Sequence, residues 1–366
     1  MPIYERNFVS VLKERLGSPD LLIQTVLGPR QVGKTTGVLQ LIESRNEPSL
    51  YASADDVLGD GGWWIREKWQ EAAQKADDCL LVLDEIQKIE NWAETVKALW
   101  DQQQGRDKIK VVLLGSSSLK IQSGLTESLA GRFELLSVGH WSFEESNKIK
   151  KMTLNEYLRY GGYPGSYKFI EDQPRWRNYL INSIIDSVIN KDILSNAVVK
   201  KPALFRQLFN ILSSYPSQEI SYRKLLGQMQ DKGNTEVIKY YISLYEGAFL
   251  FKGIPKFSNQ AHKVKTSSPK VIPLAPCFYN IAEDSDEKLS WVFESIVGAD
   301  LIKKHNQVYY WRDGNYEVDF VYKEQGTIFA VEVKSGRKKN PRGLEAFLKK
   351  FPSAETKFIS QDSFRC

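Results

Sequence analysis

The chain has 366 residues, 42% hydrophobic and 26% charged, with a formal net charge of +5. That length exceeds one ordinary hydrophobic core and predicts two or three domains. No apolar run approaches the roughly 20 residues of a membrane-spanning helix, which excludes an integral membrane protein built on such helices and predicts no membrane partner.

The first residues, Met1 to Arg6, lack the charged start, apolar middle and small-residue cleavage site of a secretory signal. With three scattered cysteines (Cys79, Cys277, Cys366), a reducing cytoplasm is the expected location. Those cysteines and His140, His262 and His305 have no zinc-ligand spacing, so no zinc is expected. The modest positive charge permits an anionic partner without requiring one.

From Asp20 to Gly139, short apolar runs (Leu22 to Leu27, Leu80 to Leu83, Val111 to Leu114) alternate with helix-length segments. Such runs read as parallel strands buried on both faces, joined by crossover helices, so an α/β fold is predicted here. The first strand runs into Gly28-Pro29-Arg30-Gln31-Val32-Gly33-Lys34-Thr35-Thr36, which fits G-x-x-x-x-G-K-[ST] between a strand and a helix. Gly28 and Gly33 let the loop wrap so that backbone amides and the helix N-terminus face phosphate oxygens. Lys34 then sets a cation between the β- and γ-phosphates of ATP, and Thr35 offers its hydroxyl to Mg2+.

The run Leu80 to Leu83 ends in Asp84 and Glu85, an apolar strand closing on two carboxylates. Asp84 is expected beside the metal, with Glu85 polarising the attacking water. After the third run come Gly115 and Ser116 to Ser118, whose hydroxyls suit either a γ-phosphate contact or a helix N-cap. Gly131-Arg132 offers an arginine finger toward a neighbouring subunit, or a surface arginine.

Residues 141 to 200 are aromatic-rich and mostly helical in pattern, broken by the turn Gly161-Gly162-Tyr163-Pro164-Gly165. Three short helical patterns follow Pro202, then the apolar run Ala248 to Phe251, which is the order of a winged helix-turn-helix. Pro255 to Ser268 is polar and basic and reads as a wing, loop or linker. From Pro269 the pattern gives a helix around Trp291 to Lys303, three strands up to Ser335, and a final basic helix. The expected division is 1–145 for the nucleotide domain, 146–200 for a helical lid or linker, 201–268 for the winged helix and 269–366 for a C-terminal α/β domain.

In that last domain, side chains two apart on a strand share a face, so Glu317 pairs with Asp319 and Glu332 with Lys334. A hairpin turn at Lys323 to Gly326 brings Asp319 near Glu332. Two carboxylates and a lysine, with Glu294 on the preceding helix as a fourth member, are what metal-assisted phosphodiester cleavage needs. An exposed hairpin with paired charges has the same pattern. Lys334, Arg337, Lys338, Lys339, Arg342, Lys349 and Lys350 form a basic tract suited to a phosphate backbone or to a solvated helix face. Arg223, Lys224 and Lys239 add charge to the winged-helix segment, a module that also docks proteins.

At Gly28 to Thr36, Leu83 to Gln87, Gly115 to Ser118, Leu129 to Arg132, Gly161 to Pro164, Glu317 to Phe320 and Glu332 to Lys334, the chain resembles a family of bacterial and archaeal AAA-type ATPases. In that family a P-loop domain precedes a C-terminal domain of unknown function related to the PD-(D/E)XK nuclease fold. The resemblance implies Ser117 or a neighbour as sensor, Arg132 as inter-subunit finger, and a winged-helix element between motor and nuclease-like domain. The first functional reading is a DNA-acting ATPase, a homo-oligomeric ring or partial ring with a hexamer among the arrangements. Its motor remodels or translocates DNA, branched or forked forms included, while the nuclease-like domain grips or cuts it. The basic tract and the Asp319, Glu332 and Lys334 set mark this reading. The alternative is a nucleotide-controlled switch acting on protein partners, its nuclease fold retained as scaffold. A metabolic kinase suits neither the length nor the added domains.

Overall fold

The computed structural model describes residues 4–55, 57, 61–76, 78–103, 109–115, 128–229, 234–258, 268–282, 287–334 and 342–364. The expected sensor Ser117, with Ser116 and Ser118, lies outside the described residues, as do Arg337, Lys338 and Lys339. The chain divides into two compact units. One comprises residues 1–139 together with 190–196, and the other residues 140–189 with 197–366.

The first unit is built on a parallel five-stranded sheet: β1 (Ile23–Leu27), β2 (Ser49–Ser53), β3 (Leu80–Asp84), β4 (Lys110–Gly115) and β5 (Phe133–Ser137). The order is β2-β3-β4-β1-β5, with every neighbouring pair parallel. All five residues of β1 and of β3 are buried, because helices cover both faces of their part of the sheet. The helices are α1 (Asn7–Leu16), α2 (Lys34–Glu43), α3 (Gly62–Lys75) and α4 (Trp92–Gln102). The topology inserts β4 between β1 and β3, so their C-terminal ends lie in one row, where ligands of open α/β sheets bind.

Two edge strands, β2 and β5, went unpredicted for a physical reason. Every residue of β2 is half-buried, and β5 buries only Leu136, so neither carries the continuous apolar run that marks a central strand.

The second unit opens with α5 (Phe143–Lys150) and α6 (Leu154–Tyr160), each started by a complete capping box: Ser142 with Glu145, and Thr153 with Glu156. Tyr163 of the glycine-rich turn is fully buried, its hydroxyl 3.0 Å from His140 Nε2. After α7 (Gln173–Asn178) come α8 (Pro202–Ser214), α9 (Tyr222–Gln228) and α10 (Thr235–Gly247). Side-chain caps at Ser221 and Asn234 fix the starts of α9 and α10.

A three-stranded antiparallel sheet follows in the order β6-β8-β7, from β6 (Gln218–Glu219), β7 (Phe251–Ile254) and β8 (Lys270–Pro273). A four-stranded sheet, β12-β11-β10-β9, completes the unit, from β9 (Val308–Asp313), β10 (Tyr316–Glu324), β11 (Thr327–Lys334) and β12 (Glu355–Ser360). Helices α11 (Cys277–Ala282), α12 (Leu289–Lys304) and α13 (Arg342–Lys350) accompany these sheets, α12 packing on β8 and β11. Behind β10 a core of Trp311, Val318, Val321, Ala330, Leu344 and Phe347 seats α13. Among the described residues, no helix is long and apolar enough to cross a membrane.

Candidate nucleotide site and carboxylate cluster

The loop between β1 and α2 is shaped by two glycines. A Cβ on Gly28 would stand 2.0 Å from the carbonyl oxygen of Val138, so only glycine lets the strand end pass beneath that chain. Gly33, at φ +87, takes a left-handed conformation at the N-cap of α2. Gln31 is also left-handed (φ 57), although it is not glycine. Successive turns of this kind aim backbone amides at one point, and the N-terminus of α2 adds its dipole.

Lys34 is 9% exposed, and its ammonium donates to the carbonyls of Gly28 (2.9 Å) and Pro29 (2.7 Å). Burial lowers its pKa to about 8, against the pull of Glu85 and Asp84. A poorly hydrated cation over a ring of amides is a site for an anion. Pro29 and Val32 are buried, whereas Thr36 faces outward on the first turn of α2.

Thr35 Oγ1 donates to Asp84 Oδ2 at 2.8 Å. The other oxygen, Oδ1, accepts from the Glu85 amide at 2.8 Å. A hydroxyl and a carboxylate already in contact at a strand end fit the hard-oxygen preference of Mg2+, which keeps most of its water and takes few protein ligands. Glu85 is itself left-handed (φ 53), a backbone cost of about 1 kcal/mol or more that must be held by the surroundings. Its carboxylate accepts from Gln87 Nε2.

Three contributors carry no motif. Tyr51 on β2 donates its hydroxyl to Asp84 Oδ2 at 2.8 Å, and burial together with that bond raises the phenol's pKa. Arg6, 4% exposed, donates to the carbonyls of Val32 (2.9 Å) and Gly139 (3.2 Å), tying the loop to the chain ahead of α1. Asp192 grips Arg30 with both oxygens, at 2.6 and 2.8 Å. Strand register places Tyr51 beside Asp84: Ser53 is the partner of Asp84 across β2 and β3, and Tyr51, two residues earlier, shares the face of Ser53.

Arg132 is placed elsewhere. Its guanidinium pairs with Asp101 on α4 at 2.7 and 3.0 Å, and its carbonyl accepts from Ile23 at the N-terminal end of β1. Five residues of strand put it about 16 Å from its own phosphate loop, so it takes no part in the site of its own chain.

In the second unit, Glu294, Glu317, Asp319 and Glu332 line one cavity of about 390 Å³ with Ser217, Glu219 and Arg312. Phe320 pairs with Val331, so Asp319 and Glu332 stand one step beyond that rung on the same hairpin. Asp319 Oδ2 accepts from the Val333 amide at 2.7 Å, Lys334 pairs with Glu332, and Ser217 donates to Glu294 Oε1 at 2.9 Å. Burial raises the pKa of Glu294 and of Glu332 to about 7 and raises that of Asp319 as well.

Lys270, which no motif marks, points its ammonium into this cluster from β8. Of the other basic candidates, Lys350 pairs with Asp313 and Lys239 with Glu236, while Lys224 lies over the ring of Tyr215.

Comparison with known proteins agrees with the first unit. Residues 22–147 match the AAA domain family, while residues 151–280 and 291–363 match two domains of unknown function, DUF8612 and DUF4143. The chain is similar to an uncharacterized protein of Methanocaldococcus jannaschii, 23% identical over 89% of this chain and 78% of that one. An uncharacterized protein of Haemophilus influenzae is 23% identical over 74% of this chain and 68% of its own length. Among solved structures, the Walker-type ATPase of Pyrococcus abyssi superposes with a TM-score of 0.53 at 13% identity, over 76% of this chain and 96% of that one. The likeness to that structure is one of fold.

Proposed function

We propose that the P-loop ATPase-like domain hydrolyses ATP with Mg2+ and drives work on DNA by an oligomer of this chain, the second unit supplying the DNA-gripping surface. The observation that carries the hydrolytic part is one row of groups at the C-terminal ends of β1 and β3. Lys34 lies over the phosphate loop, Thr35 touches Asp84, and Glu85 stands beside them.

In this reading Lys34 leaves the carbonyls of Gly28 and Pro29 for the β- and γ-phosphate oxygens, and burial makes that exchange favourable. Thr35 and Asp84 hold the magnesium, which when bound offsets charge on the phosphates. Glu85 takes the proton of the attacking water as its oxygen bonds the γ-phosphorus and the bond to the β-phosphate oxygen breaks. Gln87, bonded to the Glu85 carboxylate, holds that base in place.

Support for DNA comes from the chain's overall positive charge and from the helix order α8, α9, α10 followed by β7 and β8, which suits a winged helix. The likeness of the stretches Glu317 to Phe320 and Glu332 to Lys334 to a family with a nuclease-like domain adds to it. A second reading, a nucleotide switch acting on protein partners, is favoured by the local pairing of Lys224, Lys239 and Lys350 within the chain. ATP turnover with and without duplex, forked and four-way DNA separates the two. Stimulation of several-fold supports DNA work, and turnover indifferent to every DNA form favours the switch.

A further inference from the structure

We propose that the Lys270 ammonium is the resident cation of the C-terminal carboxylate cluster, so that this domain neither binds a divalent metal there nor cuts phosphodiesters. The inference concerns the second unit alone and does not rest on the ATPase reading.

Lys270 stands on the middle strand of the β6-β8-β7 sheet, paired on one side with Glu219 and on the other with Ile254. Its side chain is 1% exposed, among the largest fully buried in the protein. An isolated buried ammonium is costly, and lysine is almost never fully buried unless it is paired. Two of its partners, Glu294 and Asp319, are carboxylates that a cleaving site would give to magnesium, and the third is Glu317. Nζ forms an ion pair with Glu294, lies 3.5 Å from Glu317 Oε1 and 3.8 Å from Asp319 Oδ1, and donates to the Asp319 carbonyl at 3.4 Å. Phe320 offers its ring face 5.1 Å away.

A divalent ion needs several of these oxygens within about 2.0–2.6 Å of one point, and the ammonium already takes that space. Among the described residues, no group of three or more His, Cys, Asp or Glu side chains is arranged to hold a metal. Of the remaining carboxylates, Arg312 pairs with Glu219 and Glu317 and Lys334 with Oε1 of Glu332, while Oε2 of Glu332 is buried without a hydrogen-bond partner and is a single oxygen, too few to hold a divalent ion. A lysine tethered to a strand cannot do what a metal ion does in hydrolysis, since it brings no water of lowered pKa and no second coordination site. What it does is join parts of the fold. One ammonium links β8 to Glu294 on α12 and to Glu317 and Asp319 on β10.

The test uses the full chain, free of nucleotide, with Mn2+ as probe and free Mn2+ read by electron paramagnetic resonance. Wild type and Asp319→Asn should show the same weak, non-saturating uptake in the millimolar range. Lys270→Met should gain one saturable site at least tenfold tighter, lost again when Asp319→Asn is added. A saturable wild-type site that Asp319→Asn removes overturns the proposal, and so does a folded Lys270→Met that gains none. Should Lys270→Met fail to fold, the comparison of wild type with Asp319→Asn still decides. As an independent arm, magnesium-dependent cutting of DNA by wild type, abolished in Asp319→Asn while ATP turnover persists, also overturns it.

Discussion

Arg30 of the phosphate loop is clasped by both oxygens of Asp192, at 2.6 and 2.8 Å, although the two residues are 162 positions apart. The Asp192 side chain is 4% exposed and that of Arg30 25%, so the pair is largely shielded from water and from salt. The pair holds the guanidinium more firmly protonated than usual. Asp192 belongs to the short segment 190–196, which counts with the ATPase unit while the chain on both sides of it belongs to the other. On the proposed function, an arriving triphosphate would compete with Asp192 for Arg30, giving nucleotide a hold on that segment.

Asp192→Asn should therefore act in two directions. Breaking a buried pair leaves a charge without its partner and is expected to cost about 3–5 kcal/mol of stability. At the same time a negative charge near the phosphates is gone and Arg30 is released, so ATP should bind about three- to tenfold tighter. Thermal unfolding and ATP affinity measured on one preparation check both, and weaker ATP binding by a folded variant contradicts the competition.

The Lys34 ammonium predicts a pH dependence of binding. Its pKa is about 8, depressed by burial. Triphosphate favours the charged form and raises that value, so binding above pH 8 must take up a proton. Affinity should then be flat below pH 7 and about tenfold weaker at pH 9, with proton uptake seen by calorimetry in buffers of different ionisation heat. An affinity that rises from pH 7 to 9 would show that the ammonium does not meet the phosphates.

Glu85→Gln keeps the shape of the base and removes its proton affinity. ATP binding should persist while turnover falls about 10²–10⁴-fold. Single-turnover hydrolysis reads this directly. An unchanged rate would move the water-activating role to another group, with Gln87 the nearest named neighbour.

The candidate nucleotide site was legible where local sequence dictates local structure. Gly28, Gly33, Lys34 and Thr35 act within one loop, and Asp84 and Glu85 end an apolar strand, so spacing alone carries them. The three central strands were legible because they are buried on both faces, whereas the half-buried β2 hid Tyr51 and its bond to Asp84. Contributors from afar had no local signature. Arg6 and Asp192 reach the loop only through tertiary packing.

The C-terminal cluster divides in the same way. Strand alternation brings Glu317, Asp319, Glu332 and Lys334 to one face. Nothing in Lys270-Val271-Ile272-Pro273 announces that its lysine points inward, because period-2 patterning needs more than four residues to tell the faces apart. The last strand, β12, went unread since most of it is exposed and Lys357 lies over Phe329 instead of facing a core.

ATP turnover by wild type and Lys34→Ala, measured side by side with magnesium, tests the role of the phosphate loop. Wild type should hydrolyse ATP, and the variant should fall by about 10²–10³-fold or more, as expected when a preorganised charge is removed from the transferring phosphoryl group. Equal turnover in the two purified proteins, or none in wild type with any DNA form present, would contradict it.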